Sequence, residues 1–229
     1  RPMIAHPLIL YAALPAAAYL IGSIPFGVLI ARSRGVDLRG RGSGNVGATN
    51  VGRVMGARWG YLCFVLDVLK GFVPVFVVGR LLAGGAGRPE PAVQAAWLAT
   101  ALGCILGHVF SLYLRFRGGK GVATSLGVLL GVYPYYTWPG LAALGLWVAA
   151  VLIWRYVSLA SILAAAAFPV LFAAMRWPVG DLWPLLVFAA VIGALVVFRH
   201  RSNIRRLLAG SENRVGLGRG SGEKPDRRE

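Results

Sequence analysis

Apolar runs at 8–31, 59–83, 92–114, 157–175 and 182–198 each match the length of about 20 residues that an α-helix needs to cross a bilayer. Backbone polar groups in lipid must be satisfied internally, which a helix does within one segment. Two shorter runs, 122–138 and 140–154, are separated by Pro139-Gly140. They predict two spans joined by a tight turn, or else one re-entrant hairpin. The expected fold class is an all-α membrane protein, a seven-transmembrane-helix bundle, or five spans with the hairpin. Composition agrees. The chain is 57% hydrophobic and 14% charged, where a soluble domain carries about 25% charged residues. Such hydrophobicity also excludes disorder. Cys63 and Cys104 both lie in apolar runs, so no disulfide framework is indicated.

The basic residues orient the bundle. Nineteen Lys and Arg fall in 32–58, 115–121, 155–156 and 199–229, and four (Arg1, Arg80, Arg88 and Arg176) in the alternate segments. Basic loops stay on the cytoplasmic side, so the N-terminus is expected outside and the C-terminus in the cytoplasm, whichever span count holds. The formal charge of +16 is then accounted for by topology and by attraction to anionic membrane lipids, and no nucleic-acid partner is expected. Met3 is the expected start, and the first run is too long for a signal peptide and has no basic flank. Residues 1–209 are read as the integral membrane domain. The Gly- and charge-rich 210–229 are read as a polar, flexible tail. Gly103–Gly107 and Gly127–Gly131 have the spacing of close helix packing.

The basic loops carry chemistry. Residues 40–53 read GRGSGNVGATNVGR, with five glycines, two amides, two hydroxyls and flanking arginines. Glycines let backbone N–H groups converge on an anion, and arginine recognises phosphate oxygens bidentately. A plain connector needs no such Asn and Thr. Gly118-Gly119-Lys120-Gly121 resembles a phosphate cradle at the start of a helix. It is not a Walker A motif, because Gly121 stands where Ser or Thr is required and Leu114 where the first Gly belongs.

Asp67 and Lys70 are spaced i, i+3 inside a span and predict a buried ion pair, structural or in contact with substrate. His108 reads as a satisfied core histidine. Ser158 reads first as an N-cap, with a ligand contact as the alternative. His200 and Asn203 are i, i+3 on an expected continuation of the last span.

Taken together, GSIPFG at 22–27, GSGNVGATNVGR at 42–53, Asp67-x-x-Lys70-Gly71, Gly-His-x-Phe-Ser at 107–111, Gly-Gly-Lys-Gly at 118–121 and His200-x-x-Asn203-Ile204-x-Arg206 with Gly210-x-Glu212 resemble the acyl-phosphate-dependent glycerol-3-phosphate acyltransferases of bacteria, the PlsY family. The resemblance covers nearly the whole chain. It implies a multi-pass protein of the bacterial cytoplasmic (inner) membrane with its active site on the cytoplasmic side. It also implies transfer of an acyl group from long-chain acyl phosphate to the sn-1 hydroxyl of glycerol 3-phosphate. The products would be lysophosphatidic acid and phosphate, at the first step of phospholipid synthesis. By similarity Ser43, Arg53, Lys120, His200 and Asn203 would be catalytic, and Glu212 structural. Gly42, Gly44, Asn45, Thr49, Asn50, Gly118, Gly119, Gly121 and Ser158 would bind substrate.

The enzyme that makes acyl phosphate is a candidate partner. No cofactor is expected, and no Cys/His/carboxylate spacing suggests a metal. None of His6, His108 and His200 is followed by Asp at the fifth place, which separates the chain from acyltransferases built on a His-x-x-x-x-Asp pair. The expected mechanism is direct attack of the glycerol hydroxyl on the acyl carbonyl. His200, oriented by Asn203, or the donor phosphate would take the proton, and no acyl-Ser43 would form. A small transporter of an anionic solute is the competing reading, although the sequence contains no internal repeat and its polar motifs fall on one side.

Overall fold

The computed structural model describes residues 6–83 and 88–216. The expectations for residues 1–5 and 217–229 lie outside these. The described chain is helical. A π-helical turn at Ile9–Ala13 leads into α1 (Leu14–Ser23) and α2 (Phe26–Arg32). There follow α3 (Ala48–Met55), α4 (Ala57–Ala83), α5 (Pro91–Val109), α6 (Val122–Gly131), α7 (Thr137–Trp154), α8 (Val157–Met175), α9 (Trp183–Arg199) and α10 (Arg201–Leu208). Six stretches are long and apolar enough to span: Ile9–Arg32, Ala57–Leu82, Pro91–Leu114, Thr137–Trp154, Val157–Met175 and Gly180–Arg199. Val122–Gly131 is apolar but shorter. Leu69, Val73, Val77, Val187 and Val191 are 43–53% exposed, the reverse of a water-soluble fold and the expected state of side chains facing lipid.

Three boundaries differ from the sequence reading. Pro139-Gly140 is not the turn between the two short runs; it sits in the first turn of α7. Helix N–H groups there have no partner, so proline costs little. The turn is Val132–Tyr136. The first span is interrupted at Ile24, whose ψ of 118° is extended, because proline disfavours the helical conformation of the residue before it. The last span does not continue into the tail. α9 ends at Arg199, and the chain bends at His200 before α10.

The two ends of the bundle have different contents. At one end, far from the polar motifs, the Tyr11 hydroxyl donates to the Ala92 carbonyl (2.9 Å), the Gln94 amide to Asp181 (2.8 Å), and Arg176 to Pro134 (2.8 Å) and Tyr135 (3.0 Å). The other end gathers the 33–56 and 110–121 loops, the start of α8 and α10. Between them lies the main core around Trp97, Tyr136 and Phe172. The Trp97 indole and Tyr136 hydroxyl each donate to a carbonyl, of Val75 and Leu185, as buried polar tips must.

Helix pairs α1–α5, α4–α6, α7–α8 and α8–α9 make the principal contacts. Lipid tails are as apolar as leucine, so helices associate through close packing instead. Gly103 and Gly107 lie against the carbonyls of Pro15 and Tyr19, and Gly127 against that of Val68. A Cβ at Gly107 would collide with the Tyr19 carbonyl. Gly107→Val is expected to destabilise the bundle by about 1–3 kcal/mol, read as a lowered melting temperature in detergent. Gly145→Ala, at a position with no atom within 4 Å of the added carbon, is expected to leave it unchanged.

Candidate active site

The first wall is the 40–53 loop and α3. The Asn50 side chain braces it, accepting from the Ser43 N–H (2.8 Å) and donating to the carbonyls of Asn45 (2.8 Å) and Arg41 (3.1 Å). Gly42 has φ +59°, and a Cβ there would collide with the Asn50 amide, so a glycine is required. Asn45 accepts the N–H of Gly47 (3.0 Å), a turn that Asn side chains favour. Thr49 and Arg53 then follow at i, i+4 on α3 and face one side.

The second wall is the 118–121 loop. The N–H groups of Gly118 and Gly119 donate to the Val109 and His108 carbonyls, both at 3.1 Å, fastening the loop against the end of α5. Gly121, with φ +86°, turns the chain into α6. This places the Lys120 ammonium 2.5 Å from the Asn203 Oδ1.

The third wall is the bend after α9 and the tail beyond α10. His200 Nδ1 lies 2.7 Å from the Val196 carbonyl. A carbonyl only accepts, so Nδ1 carries the hydrogen and Nε2 of the neutral ring keeps its lone pair. Glu212 accepts from Asn203 Nδ2 (2.7 Å), Ser158 Oγ (2.9 Å) and Arg206 Nε (2.7 Å). Residues 211–215 fold back through Ser211 N–H to Arg206 and Val215 N–H to Arg155, both 2.8 Å. The part of the expected flexible tail that is described is therefore packed on the bundle.

Ser43, Arg53, Lys120, Ser158, His200 and Asn203 all line one cavity of about 210 Å³, with Asn45, Thr49 and Gly121. Phe64, Val122, Trp147 and Ser161 form part of its wall and also part of the wall of an apolar cavity of about 150 Å³ set among α6, α7, α8 and α9. Burial lowers the Lys120 pKa to about 8; Glu212 pulls it back up, and Arg206, Arg199 and Arg53 push it further down. Burial likewise lowers His200 to about 4, against the Val196 hydrogen bond. For Glu212 burial acts upward, yet the hydrogen bonds from Asn203, Arg206 and Ser158 hold the carboxyl below its usual value.

Several expectations change. Asn203 does not orient His200; the Val196 carbonyl does, one helical turn back, while Asn203 bonds Lys120 and Glu212. Ser158 is not the N-cap: α8 starts at Val157 after Tyr156, and the hydroxyl is directed to Glu212. The N–H groups of Gly118 and Gly119 and the Asn50 side chain already have partners within the protein, so they shape the loops. Gly42 and Gly44 lie outside the cavity lining. Lys70 pairs with Asp67 (2.7 Å) and donates to the Ile24 carbonyl (2.8 Å) at the interrupted helix, a structural role. His108 meets Thr124 at 3.0 Å and is also part of the cavity lining. Arg206 also lines the cavity; it follows Asn203 at i, i+3 on α10, a spacing that could have found it. Phe64 and Trp147 gave no signal, being apolar residues within apolar runs.

Residues 12–210 match the family model described as glycerol-3-phosphate acyltransferase. The chain is 49% identical over 197 residues to the glycerol-3-phosphate acyltransferase of Geotalea daltonii, covering 86% of this chain and 93% of that one. It is 46% identical over 200 residues to that of Aquifex aeolicus, covering 86% and 95%. Among solved structures it is similar to PlsY (YgiH), an integral membrane glycerol 3-phosphate acyltransferase. The glycerol 3-phosphate form superposes with TM-score 0.77 at 43% identity, covering 89% of this chain and 94% of that one. The lysophosphatidic acid form gives 0.75 at 42%, with the same coverage. With three walls of this kind around one polar cavity and similarity along nearly its full length, the chain belongs to the glycerol-3-phosphate acyltransferase family.

Proposed function

We propose that this protein transfers a fatty acyl group from acyl phosphate to the sn-1 hydroxyl of glycerol 3-phosphate, releasing lysophosphatidic acid and phosphate. One observation carries the reading: a polar cavity holding Lys120 and Arg53 shares its Phe64–Val122–Trp147 wall with an apolar cavity. A polar, phosphorylated acceptor and a donor with an anionic head and an apolar tail fit that junction. The acyl phosphate is already activated, so positioning and charge stabilisation supply most of the catalysis. The hydroxyl oxygen attacks the acyl carbonyl carbon, and the carbonyl electron pair moves onto its oxygen. Collapse then breaks the bond to the bridging phosphate oxygen, and Lys120 and Arg53 stabilise the departing charge. His200 Nε2, or the departing phosphate, receives the hydroxyl proton.

The proposal includes seven crossings, with the N-terminus outside and the site at the cytoplasmic face of a bacterial inner membrane. Arg176, at the end of α8 remote from Ser158, holds the carbonyls of Pro134 and Tyr135. That contact favours two crossings within 122–154 over a hairpin. The basic-loop bias supports the orientation.

The test is phosphate release by purified protein in detergent. Release from acyl phosphate that requires glycerol 3-phosphate, with lysophosphatidic acid formed in equal amount, is expected, and it should survive excess chelator. Loss of turnover in chelator would overturn the metal-independent mechanism, and a stable acyl-Ser43 adduct would overturn direct transfer. Anion uptake into vesicles without turnover would favour the transporter reading.

A further inference from the structure

Beside the polar cavity lies a wide cleft of about 760 Å³ between the end of α2 and the loop after α5. Arg32, Arg39, Arg115 and Arg117 line it, with Tyr113 and a single carboxylate, Asp37. Among the described residues none of these four guanidinium groups forms an ion pair. Arg39 donates to the Arg117 carbonyl (3.2 Å), tying the two walls together. Asp37 is engaged by the N–H of Arg39 (3.0 Å). Four like charges against one opposed charge repel one another, and a bound anion relieves that repulsion.

The position in the fold selects the kind of anion. Arg32 is the last residue of the span Ile9–Arg32, and Leu114, also in the lining, is the last of Pro91–Leu114. The cleft therefore opens where two spans leave the hydrocarbon. Leu112, Tyr113 and Phe116 stand beside it, 45%, 57% and 59% exposed; aromatic side chains concentrate at this level of a membrane. Arg115 and Phe116 both take the left-handed backbone conformation, with φ +52° and +62°. The Phe116 N–H bond to Ser111 (2.8 Å) and the Arg117 N–H bond to Leu114 (3.1 Å) fix the loop in that shape. The acyl-transfer reaction has no use for Arg32, Tyr113 or Arg115, which line neither the polar nor the apolar cavity.

We propose that this cleft binds the phosphate headgroup of an anionic phospholipid, as a site separate from the one that binds substrates. Guanidinium groups pair with phosphate oxygens bidentately, and basic pockets between spans suit such headgroups. The exposed Leu29 and Leu112 offer apolar surface for the acyl chains. Arg39 and Arg117 also border the outer opening beside Lys120, so a bound lipid would stand next to the mouth of the active site.

The experiment titrates the whole protein in detergent micelles with phosphatidylglycerol or phosphatidylcholine and reads bound lipid by native mass spectrometry. Wild-type protein should retain phosphatidylglycerol but not phosphatidylcholine. Arg32→Gln/Arg115→Gln should bind phosphatidylglycerol about thirtyfold more weakly, the size expected of two guanidinium groups near an anionic surface. Its turnover without added lipid should match wild type. Equal affinity in both proteins overturns the proposal. Displacement of the lipid by inorganic phosphate also overturns it, by making the cleft a site for free anions. Should the double variant melt at a lower temperature, Arg32→Gln alone carries the test with about fivefold weakening expected. Arg32 has no side-chain hydrogen bond to lose among the described contacts.

Discussion

Lys120→Ala is expected to lower kcat/KM on the order of a hundred- to a thousandfold, the usual effect of deleting one preorganised donor to developing charge. The bundle should remain intact, because the only hydrogen-bond partner of the ammonium among the described residues is Asn203, and Glu212 holds Asn203 independently. Arginine at 120 keeps the charge on a larger, forked group and should restore only part of the rate. The pH profile separates charge from shape. Burial places the free-enzyme pKa of Lys120 at about 8, so the cation is lost as pH rises through that value. kcat/KM, which reports the free enzyme, should decline on an alkaline limb near pH 8. The limb of kcat should lie higher, since a bound dianionic phosphate favours the protonated amine. In Lys120→Arg the limb should vanish from the accessible range. Wild-type rates in Lys120→Ala, or an unmoved limb in Lys120→Arg, would remove Lys120 from the mechanism.

How much of this could be read from the chain depends on the kind of residue. The spans were legible because lipid demands long apolar segments, and the Gly103–Gly107 and Gly127–Gly131 pairs because small residues at that spacing let helix backbones approach closely. The helix breaks were less so. Pro139 looks like a breaker, yet in the first turn of α7 its missing N–H costs nothing, while Pro25 interrupts a run that reads as continuous.

In the candidate site, His200 and Asn203 stood out because a plain basic anchor does not need them, and Lys120 because it stands among glycines before a helix. What remained hidden was the pairing. Asn203 and His200 share a helical spacing, but the bend at His200 turns the imidazole back to Val196 and frees Asn203 for two other partners. Ser158 and Glu212 are 54 positions apart, and no local pattern announces a contact of that range. The 118–121 glycine loop misled for a related reason: the Gly118 and Gly119 N–H groups meet the carbonyls at the end of α5, an acceptor set that only tertiary structure supplies.

Glu212→Ala tests that hidden connection. The carboxylate holds three donors from two elements: Ser158 on α8, and Asn203 and Arg206 on α10. Its removal leaves two neutral donors and one guanidinium without their acceptor, and leaves the folded-back 211–215 segment to the Ser211 and Val215 backbone bonds. Asn203 then loses the contact that fixes its amide, and Lys120 loses a fixed acceptor. A fall in kcat of about a hundredfold, with a smaller change in KM, is expected, since misplacement near the chemistry costs on that order. Glu212→Gln should lie between, because its carbonyl still accepts while the Arg206 ion pair is lost. The acid–base readout distinguishes this from general unfolding. The Glu212 charge raises the Lys120 pKa, so deleting it leaves burial and the three arginines to act alone, and the alkaline limb of kcat/KM should move below pH 8. A limb that stays in place while kcat falls would mean that Glu212 acts without electrostatic contact with Lys120, and that the three walls are not coupled as their hydrogen bonds indicate.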